Sequence, residues 1–564
     1  MAKSIKTITK RINKLYPTIT AEEYRGCVRL TGELDSWDEI VKVGKSAVTH
    51  RSLGVLNDVK LKGYSEKVRT PSLRDFRLDG KDVDVMIIGA GAVGSAIARE
   101  LSRYAISVLM VDKESDIGMG QSSRNNGDIR VNLDVNPNQH RYAYSVKGKE
   151  MFDRIAEELS IDFKHTGRLV FFANNKDKMM IPKLKRLCKK LGNEVEFVKG
   201  KKLSALEPSI PSWNKGAFYI KTGGEICPYQ YTIALAENAV LNGVELSLNT
   251  IVEGMSVEDG YIKEVQTNRG AVKAKIVINA SGVMCDKIAD MAGDRTFTIH
   301  PKKNTMLVLD KKKTKVAPTS CSRDKQGKGI GNGVYHTIHG NLLLVGEDEE
   351  VPSREDTSTT MKAVGNVFAD QNKIAQEMGI EDIITYFAGI SASNYEEDFV
   401  IRKGIFTKNI IEVAAIQLPG LTASPAIAEK VAEWTIEMLG GAKENFSFQP
   451  YRKGLTKIKE MTEEERNKFI KSNPDFGVIV CHCEEISRGE IIEAATMGIP
   501  ATTLDGVKRR VRAGMGRCQG GHCAPIVLDI LSKTTGVPME SINKSTENSQ
   551  IVFGDSKGGS NGTI

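Results

Sequence analysis

The sequence predicts a two-lobed α/β protein, in which a doubly wound, Rossmann-like lobe joins a β-rich lobe and small domains flank them at both ends. Three observations predict this fold: a strand, glycine turn, helix and strand in succession from Asp82, alternating helical and β-patterned segments from about Gln139 to Phe448, and two close cysteine pairs near the C-terminus. We divide the chain into an α+β domain at 1–66, a two-lobed body at 82–450, a cysteine domain at 476–540 and a disordered tail at 545–564.

Composition and charge narrow the class of protein. The 564 residues suffice for about three folding units. Hydrophobic residues make up 40% and charged residues 27%, as in soluble globular proteins. The net charge of +8 is a mild excess, which can steer an anionic substrate or an acidic partner but does not indicate nucleic acid. The chain shows no long apolar stretch and no secretion signal, so we expect a cytoplasmic protein.

The first domain is predicted to contain a basic amphipathic helix at 5–15, a strand at 23–34 with a turn at Gly32, a helix at 35–49 and a strand at 55–61. The segments VRLTGELDSWDEIVKVGKSAV and GVLNDVKL resemble the BON domain family, whose members are associated with membranes or lipid-like ligands. The resemblance implies that the basic helix contacts lipid at the inner face of a membrane, or a partner protein; a solvated surface is the alternative. The basic side chains of this helix are Lys3, Lys6, Lys10, Arg11 and Lys14.

A dinucleotide site is predicted at the start of the two-lobed body. Gly89, Gly91 and Gly94 fit G-x-G-x-x-G between an apolar strand and a helix, and Asp112 ends the next strand. The glycines permit the tight turn, the approach of the pyrophosphate and close helix packing, and the helix N-terminus attracts the phosphates. Asp112 is expected to accept hydrogen bonds from the adenosine ribose.

The motif alone does not distinguish FAD from NAD. The segments MGQSSRNNGDIR, INASGV and AAIQLPGLTASPAIAE resemble the D-amino-acid-oxidase superfamily of FAD enzymes, in particular its glycerol-3-phosphate dehydrogenase-like and L-2-hydroxyglutarate dehydrogenase-like members. The resemblance implies that FAD is the cofactor. By position, it implicates in FAD binding Lys113, Ser122, Ser123, Asn125, Gly127, Val252, Ala280, Gly282, Gly420, Leu421 and Thr422.

The C-terminal cysteines predict a metal centre. Cys481, Cys483, Cys518 and Cys523 have the spacing C-x-C and C-x4-C, which suits an iron–sulfur cluster or a zinc ion, while the other five cysteines show no such spacing. The tight first pair favours iron–sulfur. The segments VIVCHCEEIS and GMGRCQGGHCAP resemble the bacterioferritin-associated-ferredoxin-like domain, which implies a 2Fe-2S cluster. The basic residues Lys508, Arg509, Arg510, Arg512 and Arg517 are expected to form a solvated face, offset the cluster charge or dock an acidic carrier.

Dehydrogenation next to a hydroxyl needs a proton acceptor and an anchor for the charge of the substrate. The resemblance points to Arg130, His300 and His336 as catalytic candidates. The further candidates are Lys302, Lys303, Tyr335 and the loop 387–398, and each has a structural alternative. Arg130 stands where relatives have a histidine, and Ser391 where relatives have an arginine that binds the anionic substrate.

Three functions follow from these sites. The first is a dehydrogenase of glycerol 3-phosphate or a 2-hydroxyacid that passes electrons from FAD through the cluster to a protein or quinone acceptor. The second keeps both cofactors but oxidises an amine or opine. The third is an electron-transfer subunit of a larger complex without an organic substrate of its own. We expect a small-molecule substrate, acceptor subunits and no nucleic acid.

Overall fold

The computed structural model describes residues 4–132, 135–172, 177–206, 214–313, 319–323, 329–330, 333–373 and 378–554. The chain forms two compact units, one of Met1–Lys113 and Ile117–Pro450 and one of Glu114–Asp116 and Tyr451–Ile564. In the described ranges, no helix is both long and apolar enough to cross a membrane.

The first unit begins with a small sheet covered by two helices. Its elements are α1 (Ile5–Leu15), β1 (Ile19–Tyr24), β2 (Cys27–Leu34), α2 (Trp37–Ala47) and β3 (Val55–Leu61). The strand order is β1-β2-β3, with an antiparallel and then a parallel pair. Ile8 and Ile12 of α1 are buried against this sheet, as the amphipathic pattern predicts.

The predicted turn at Gly32 is wrong. Gly32 lies within β2, and the turn lies at Arg25 and Gly26, which have φ values of 48° and 76°. A Cβ at position 32 would collide with the Thr18 carbonyl oxygen. Glycine is therefore required at position 32 because the backbone of β2 passes close to the backbone at Thr18, and not because the chain reverses there.

The remainder of the first unit carries both lobes. In chain order its elements are β4 (Lys81–Ile88), α3 (Ala92–Leu101), β5 (Val108–Val111), β6 (Asp128–Ile129), α4 (His140–Lys149), α5 (Phe152–Leu159), β7 (Phe163–Lys164), β8 (Arg168–Phe171), α6 (Ile181–Lys190), β9 (Val195–Val198), α7 (Gly200–Leu206), β10 (Ala217–Ile220), β11 (Gly224–Ile226), α8 (Pro228–Leu241), β12 (Glu245–Ser247), β13 (Val252–Glu258), β14 (Tyr261–Thr267), β15 (Gly270–Asn279), α9 (Cys285–Met291), β16 (Ile299–Leu309), β17 (Thr319–Arg323), β18 (Gly329–Ile330), β19 (Gly333–His336), β20 (Leu342–Glu350), α10 (Met361–Gln371), β21 (Ile383–Asn394), β22 (Val400–Lys403), β23 (Ile410–Ala414) and α11 (Gly420–Met438).

The first lobe has a parallel sheet at its centre. Strands β12, β5, β4, β15 and β23 are adjacent and parallel in that order. Strand β5 and the second half of β4, Val85–Ile88, are buried apolar runs, as expected for a parallel sheet covered on both faces. The carboxyl end of β4 leads into the glycine turn, where ligands of such sheets bind.

The second lobe is β-rich. Its large sheet has the order β21-β16-β20-β19-β17-β8-β10-β9, and a small sheet of order β6-β11-β7 lies beside the loop that follows β5 in sequence. The long antiparallel pair of β16 and β21 forms one edge of the large sheet.

The second unit is small and mainly helical. Its elements are α12 (Glu463–Ser472), β24 (Ile479–Cys481), β25 (Ile486–Ser487), α13 (Arg488–Thr496), α14 (Leu504–Val511) and α15 (Ala524–Thr535). Of the predicted tail, residues 545–554 are described: the Lys544 and Ser545 amides donate hydrogen bonds to Ser549. Residues 555–564 lie outside the described part of the chain.

Candidate functional site

The glycine turn between β4 and α3 forms a cradle of the predicted kind. Gly89 has a φ of 110°, and a Cβ there would collide with the Ala280 carbonyl oxygen. A Cβ at Gly94 would collide with the Gly89 carbonyl oxygen. Gly91 caps α3 without a side-chain hydrogen bond. The glycines therefore bring the turn, the helix and Ala280 together and leave the helix N-terminus available for a phosphate group.

Two predicted side chains meet this turn. Asp112 accepts a hydrogen bond from the Ala90 amide through Oδ2, at 2.7 Å. The Ser122 hydroxyl accepts one from the Ala92 amide in the first turn of α3, at 2.9 Å. The loop after β5 thus folds back onto the glycine turn and contacts the first turn of α3 through Ser122.

The start of α11 is tied to the same loop. The Thr422 hydroxyl accepts a hydrogen bond from the Arg130 amide at 3.1 Å and donates one to the Asp128 carbonyl oxygen at 3.4 Å. Gln121 donates to the Ile416 carbonyl oxygen at 3.1 Å, just before α11. Gln121 was not predicted from the sequence, since a lone glutamine in a loop carries no signal.

The other predicted FAD residues occupy varied positions. Asn125 holds the loop by donating to the Ser122 carbonyl oxygen at 2.8 Å and accepting from the Gly127 amide at 2.9 Å. Lys113 forms an ion pair with Glu355. Val252, at the start of β13, pairs with Thr267 of β14 rather than with the glycine turn. Ser123, Gly282 and Leu421 lie in the segments that also contain Ser122, Ala280 and Thr422.

These residues fit FAD. The glycine cradle would accept the pyrophosphate, and the buried start of α11 presents backbone amides whose dipole favours negative charge. The region from Ser122 to Arg130 lies between them, as a loop along an extended dinucleotide must.

The catalytic candidates do not form one cluster through their described contacts. The buried His300 contacts Glu350 through Nδ1 at 2.7 Å and stacks on Tyr395 with ring centroids 4.6 Å apart. Tyr395 belongs to the core of the N-terminal domain and accepts a hydrogen bond from Asn57 at 2.7 Å. His336 is half-buried at the end of β19. Of the three candidates, Arg130 is the one tied to α11.

A buried ionic cluster lies beside Arg130. We name Arg168, Asp128, Glu225 and Tyr335 the Arg168 cluster. Arg168 is fully buried; it donates to Asp128, lies 3.6 Å from Glu225 Oε1 and sits over the Tyr335 ring at 5.4 Å. Sequence reasoning named only Tyr335 of these, although single charges in the short apolar segments RLVFF and GGEI were a usable signal.

The predicted lysines already have acidic partners. Lys302 contacts Glu397 at 2.7 Å, and Lys303 contacts Asp356 at 3.1 Å. Ser391, at the position of the missing arginine, donates its hydroxyl to the Lys302 carbonyl oxygen at 3.5 Å.

The four predicted cysteines approach in pairs in the second unit. The Sγ atoms of Cys483 and Cys518 are 3.8 Å apart, close to the separation expected of two thiolates about 2.3 Å from one tetrahedral metal. A hydrogen bond from the Cys523 thiol lowers the pKa of Cys481, which identifies the second pair. In the described ranges, no three potential ligands converge on one point. Four cysteine thiolates are the ligand set of a 2Fe-2S cluster.

Burial distinguishes the two pairs. Cys481 and Cys523 are 2% exposed, whereas Cys483 is exposed and Cys518 is half-buried. A Cβ at Gly516 would collide with Cys483, so this glycine allows the two cysteine segments to meet.

Of the alternatives for the basic residues, the solvated face is wrong for three of them. Arg509 and Arg510 are buried and donate to Asp116, at 2.7 Å and 2.9 Å. Arg512 is buried and donates to Glu484 at 2.9 Å. Although burial acts in the opposite direction, the two guanidinium groups hold the pKa of Asp116 well below its usual range. These arginines stabilise the unit internally and do not form a solvated face.

Comparison with protein families agrees with both sites. Residues 84–434 match the family model DAO, described as FAD dependent oxidoreductase. Residues 479–533 match the BFD-like [2Fe-2S] binding domain. FAD and a 2Fe-2S cluster are thereby confirmed as the cofactors.

Individual relatives extend the comparison. A glycerol 3-phosphate dehydrogenase of Caloramator mitchellensis is 37% identical over 479 residues, which cover 84% of this chain and 99% of that protein. One subunit of the anaerobic glycerol-3-phosphate dehydrogenase of Escherichia coli K12 is 22% identical, covering 79% of this chain and 87% of the relative. The solved L-alpha-glycerophosphate oxidase of Mycoplasma pneumoniae with FAD bound has a TM-score of 0.60 and 22% identity, covering 66% of this chain and 98% of the other. That structure supports the fold.

Proposed function

Because this chain belongs to the DAO family of FAD dependent oxidoreductases, we propose that it is a dehydrogenase of glycerol 3-phosphate. The substrate is proposed from the likeness to the Caloramator mitchellensis protein. The match covers 99% of that protein. The BFD-like domain supports a dehydrogenase over an oxidase, because it offers the electrons a route other than oxygen.

The substrate must place its carbon–hydrogen bond against the flavin and its phosphate against a cation. Bound FAD supplies the acceptor for the hydride. Gly89, Gly91 and Gly94 would hold its pyrophosphate, and the start of α11 would face the ring. Arg130 is our candidate for the substrate anion, since its backbone is fixed to α11 through Thr422.

Arg124 is a second candidate for the anion. One of its guanidinium nitrogens donates to the Ala388 carbonyl oxygen at 3.3 Å. Ala388 lies three residues before Ser391, where relatives have an arginine. Arg124 would thus bring a guanidinium from another segment to the strand that lacks one. We keep His300 and His336 as proposed proton-transfer groups, His300 with its Nδ1 engaged by Glu350.

The electrons would leave singly through the cluster, which the four cysteines hold in the second unit. The exposed side of that site, at Cys483, is where we expect an acceptor protein to bind. A role as the catalytic subunit of a larger complex is the second candidate, favoured by the likeness to one subunit of the Escherichia coli enzyme.

The N-terminal domain would provide a peripheral contact with anionic lipid or a partner protein in the cytoplasm. Its BON-like sequence suggests this, and Lys6, Lys10 and Lys14 of α1 are exposed at four-residue spacing opposite the buried isoleucines. Binding to phosphatidylglycerol vesicles that is lost in the triple glutamine variant would support the contact. Equal binding of the vesicles by the wild type and by the variant K6Q/K10Q/K14Q would exclude a lipid contact through these lysines.

The test of the enzymatic proposal is anaerobic reduction of the flavin. Purified protein is mixed in turn with glycerol 3-phosphate, glycerol, 2-hydroxyacids and amines, and the visible spectrum is recorded with iron and sulfide content. We expect glycerol 3-phosphate to bleach the flavin and glycerol to do so far less, because glycerol lacks the anion. Bleaching by an amine alone would establish the opine-type alternative, and no bleaching by any substrate would favour the relay subunit.

A further inference from the structure

Arg168 holds the backbone that leads to Arg130. Its guanidinium donates to the Asp128 carboxylate, to the Gly167 carbonyl oxygen at 2.7 Å and to the Gly224 carbonyl oxygen at 3.1 Å. Asp128 is 6% exposed and lies two residues before Arg130. The side chain of Asp128 is therefore restrained by a cation that is itself fixed by two backbone oxygens.

The same short segment is restrained from the other side. The Thr422 hydroxyl bonds to the Asp128 carbonyl oxygen and to the Arg130 amide, on either side of Ile129. The segment from Asp128 to Arg130 thus connects the start of α11 to the Arg168 cluster. The hold on the Asp128 side chain and the position of Arg130 are therefore linked through two residues of backbone.

The cluster contains one more acid than base. Glu225 lies directly opposite Asp128 in the pairing of β11 with β6, and its Oε1 has no hydrogen-bond partner within the described residues. With both carboxyl groups ionised, the buried cluster carries a net negative charge. With a proton on Glu225, Arg168 and Asp128 form a neutral pair.

The groups around Glu225 favour the protonated form near neutral pH. Burial is the largest cause that raises the pKa of Glu225, to about 7, and the negative charge of Asp128 adds to it. Arg168 on β8, the Thr166 hydroxyl and Lys164 on β7 act in the opposite direction.

We propose that Arg168, Asp128 and Glu225 form a proton-dependent clamp that positions Arg130 beside the flavin. When Glu225 is neutral, Arg168 is committed to Asp128 and the segment is held. When Glu225 is ionised, it competes for the guanidinium, and the hold on Asp128 weakens. Arg168 and Glu225 are positioning residues for the reaction. The expected effect on the KM for glycerol 3-phosphate rests on the proposed function, whereas the expected effect on the flavin absorption does not.

The test compares E225Q and D128N with the wild-type holoenzyme. The flavin absorption and the KM for glycerol 3-phosphate are measured from about pH 5.5 to about pH 8.5. In the wild type we expect both to change with a midpoint near 7. E225Q should abolish the transition, and D128N should move it to lower pH, because the charge that raises the Glu225 pKa is removed. D128N should also raise KM more than it lowers kcat.

Glu490→Gln is the matched control. Glu490 is a buried glutamate whose pKa burial likewise raises, but it accepts a hydrogen bond from the Ser487 amide of the second unit, at 2.8 Å, instead of facing the Arg168 cluster. Its variant should keep the wild-type transition. A transition that persists in E225Q, or that is lost equally in E490Q, would overturn the clamp. If glycerol 3-phosphate is not oxidised, the proposed function fails and the flavin absorption alone decides on the clamp.

Discussion

The two cofactor sites are built in different ways. The nucleotide site is made largely of backbone: three glycines, the first turn of α3 and the buried start of α11. The cluster site is made of four side chains, supported by the ion pairs of Arg509, Arg510 and Arg512. The first site is therefore vulnerable to added atoms and the second to removed ones. Substitutions in each site can test this difference.

Addition of one methyl group at Gly94 should have the largest effect. A Cβ there collides with the Gly89 carbonyl oxygen, which cannot move without displacing the turn. We expect Gly94→Ala to be purified without FAD, as measured by the flavin absorbance per protein. Gly365→Ala in α10 is the control, because a Cβ at Gly365 meets no atom within 4 Å and lies outside the predicted FAD segments. Normal FAD content in G94A would refute the backbone account of this site.

Removal of one thiolate should abolish the cluster and spare the flavin. Cys481→Ser is expected to lose iron and acid-labile sulfide, because a hydroxyl is a poor ligand for this soft metal centre. FAD content should equal that of the wild type. Cys227→Ser, at a buried cysteine outside the cluster motif, should retain both cofactors. Loss of FAD in C481S would show that the two sites are not independent.

The buried ion pairs of the second unit should contribute less, but measurably. Asp116→Asn removes the carboxylate that pairs with the buried Arg509 and Arg510, at an expected cost of about 3–5 kcal/mol. The cost is measured by urea unfolding followed through the cluster absorbance, as the shift in the midpoint multiplied by the m-value. Asp529→Asn removes the more exposed pair with Lys533 and should cost about 0.5 kcal/mol or less. Similar costs for both would mean that the Asp116 pairs are not the support of this unit.

The smallest effect is expected on the pH dependence of the unfolding free energy, through Glu396, where the N-terminal domain meets the β-rich lobe. Burial raises the pKa of Glu396 from 4.5 to about 7, so the folded state binds the proton more tightly than the unfolded state. This stabilisation is present below pH 4.5 and is lost as the pH rises through 7. Relative to E396Q, the wild type should lose about 2 kcal/mol of unfolding free energy between about pH 5.5 and about pH 8. A constant difference across that range would refute the shifted titration.

Local patterns were sufficient for the regular elements near the motifs. The predicted helix at 5–15 is α1 (Ile5–Leu15), because its isoleucines repeat at helical spacing. The glycine motif was placed correctly between β4 and α3 because strand, turn and helix are consecutive in the chain. Gly32 was misassigned because a glycine required by a neighbouring backbone looks the same in sequence as one required by a turn.

Long-range contacts account for what sequence reasoning missed. His300 was selected by resemblance, but its stacking on Tyr395 depends on how β16 pairs with β21 and how the N-terminal domain covers them. The arginines of α14 resemble a basic surface in sequence, yet Asp116, nearly 400 positions away, makes two of them internal. No local pattern encodes such a partner.

By itself, the sequence determined a dinucleotide turn and a four-cysteine metal site, because glycine turns and cysteine pairs act through residues that are close in the chain. The resemblance to known families was needed to specify FAD and a 2Fe-2S cluster. Only the tertiary structure decided which charges are buried together. Asp128, Arg168 and Glu225 come from three strands, and their shared environment exists only after those strands pair. The free energy of a buried charge depends on its partners and on the exclusion of water, and both are properties of the folded chain.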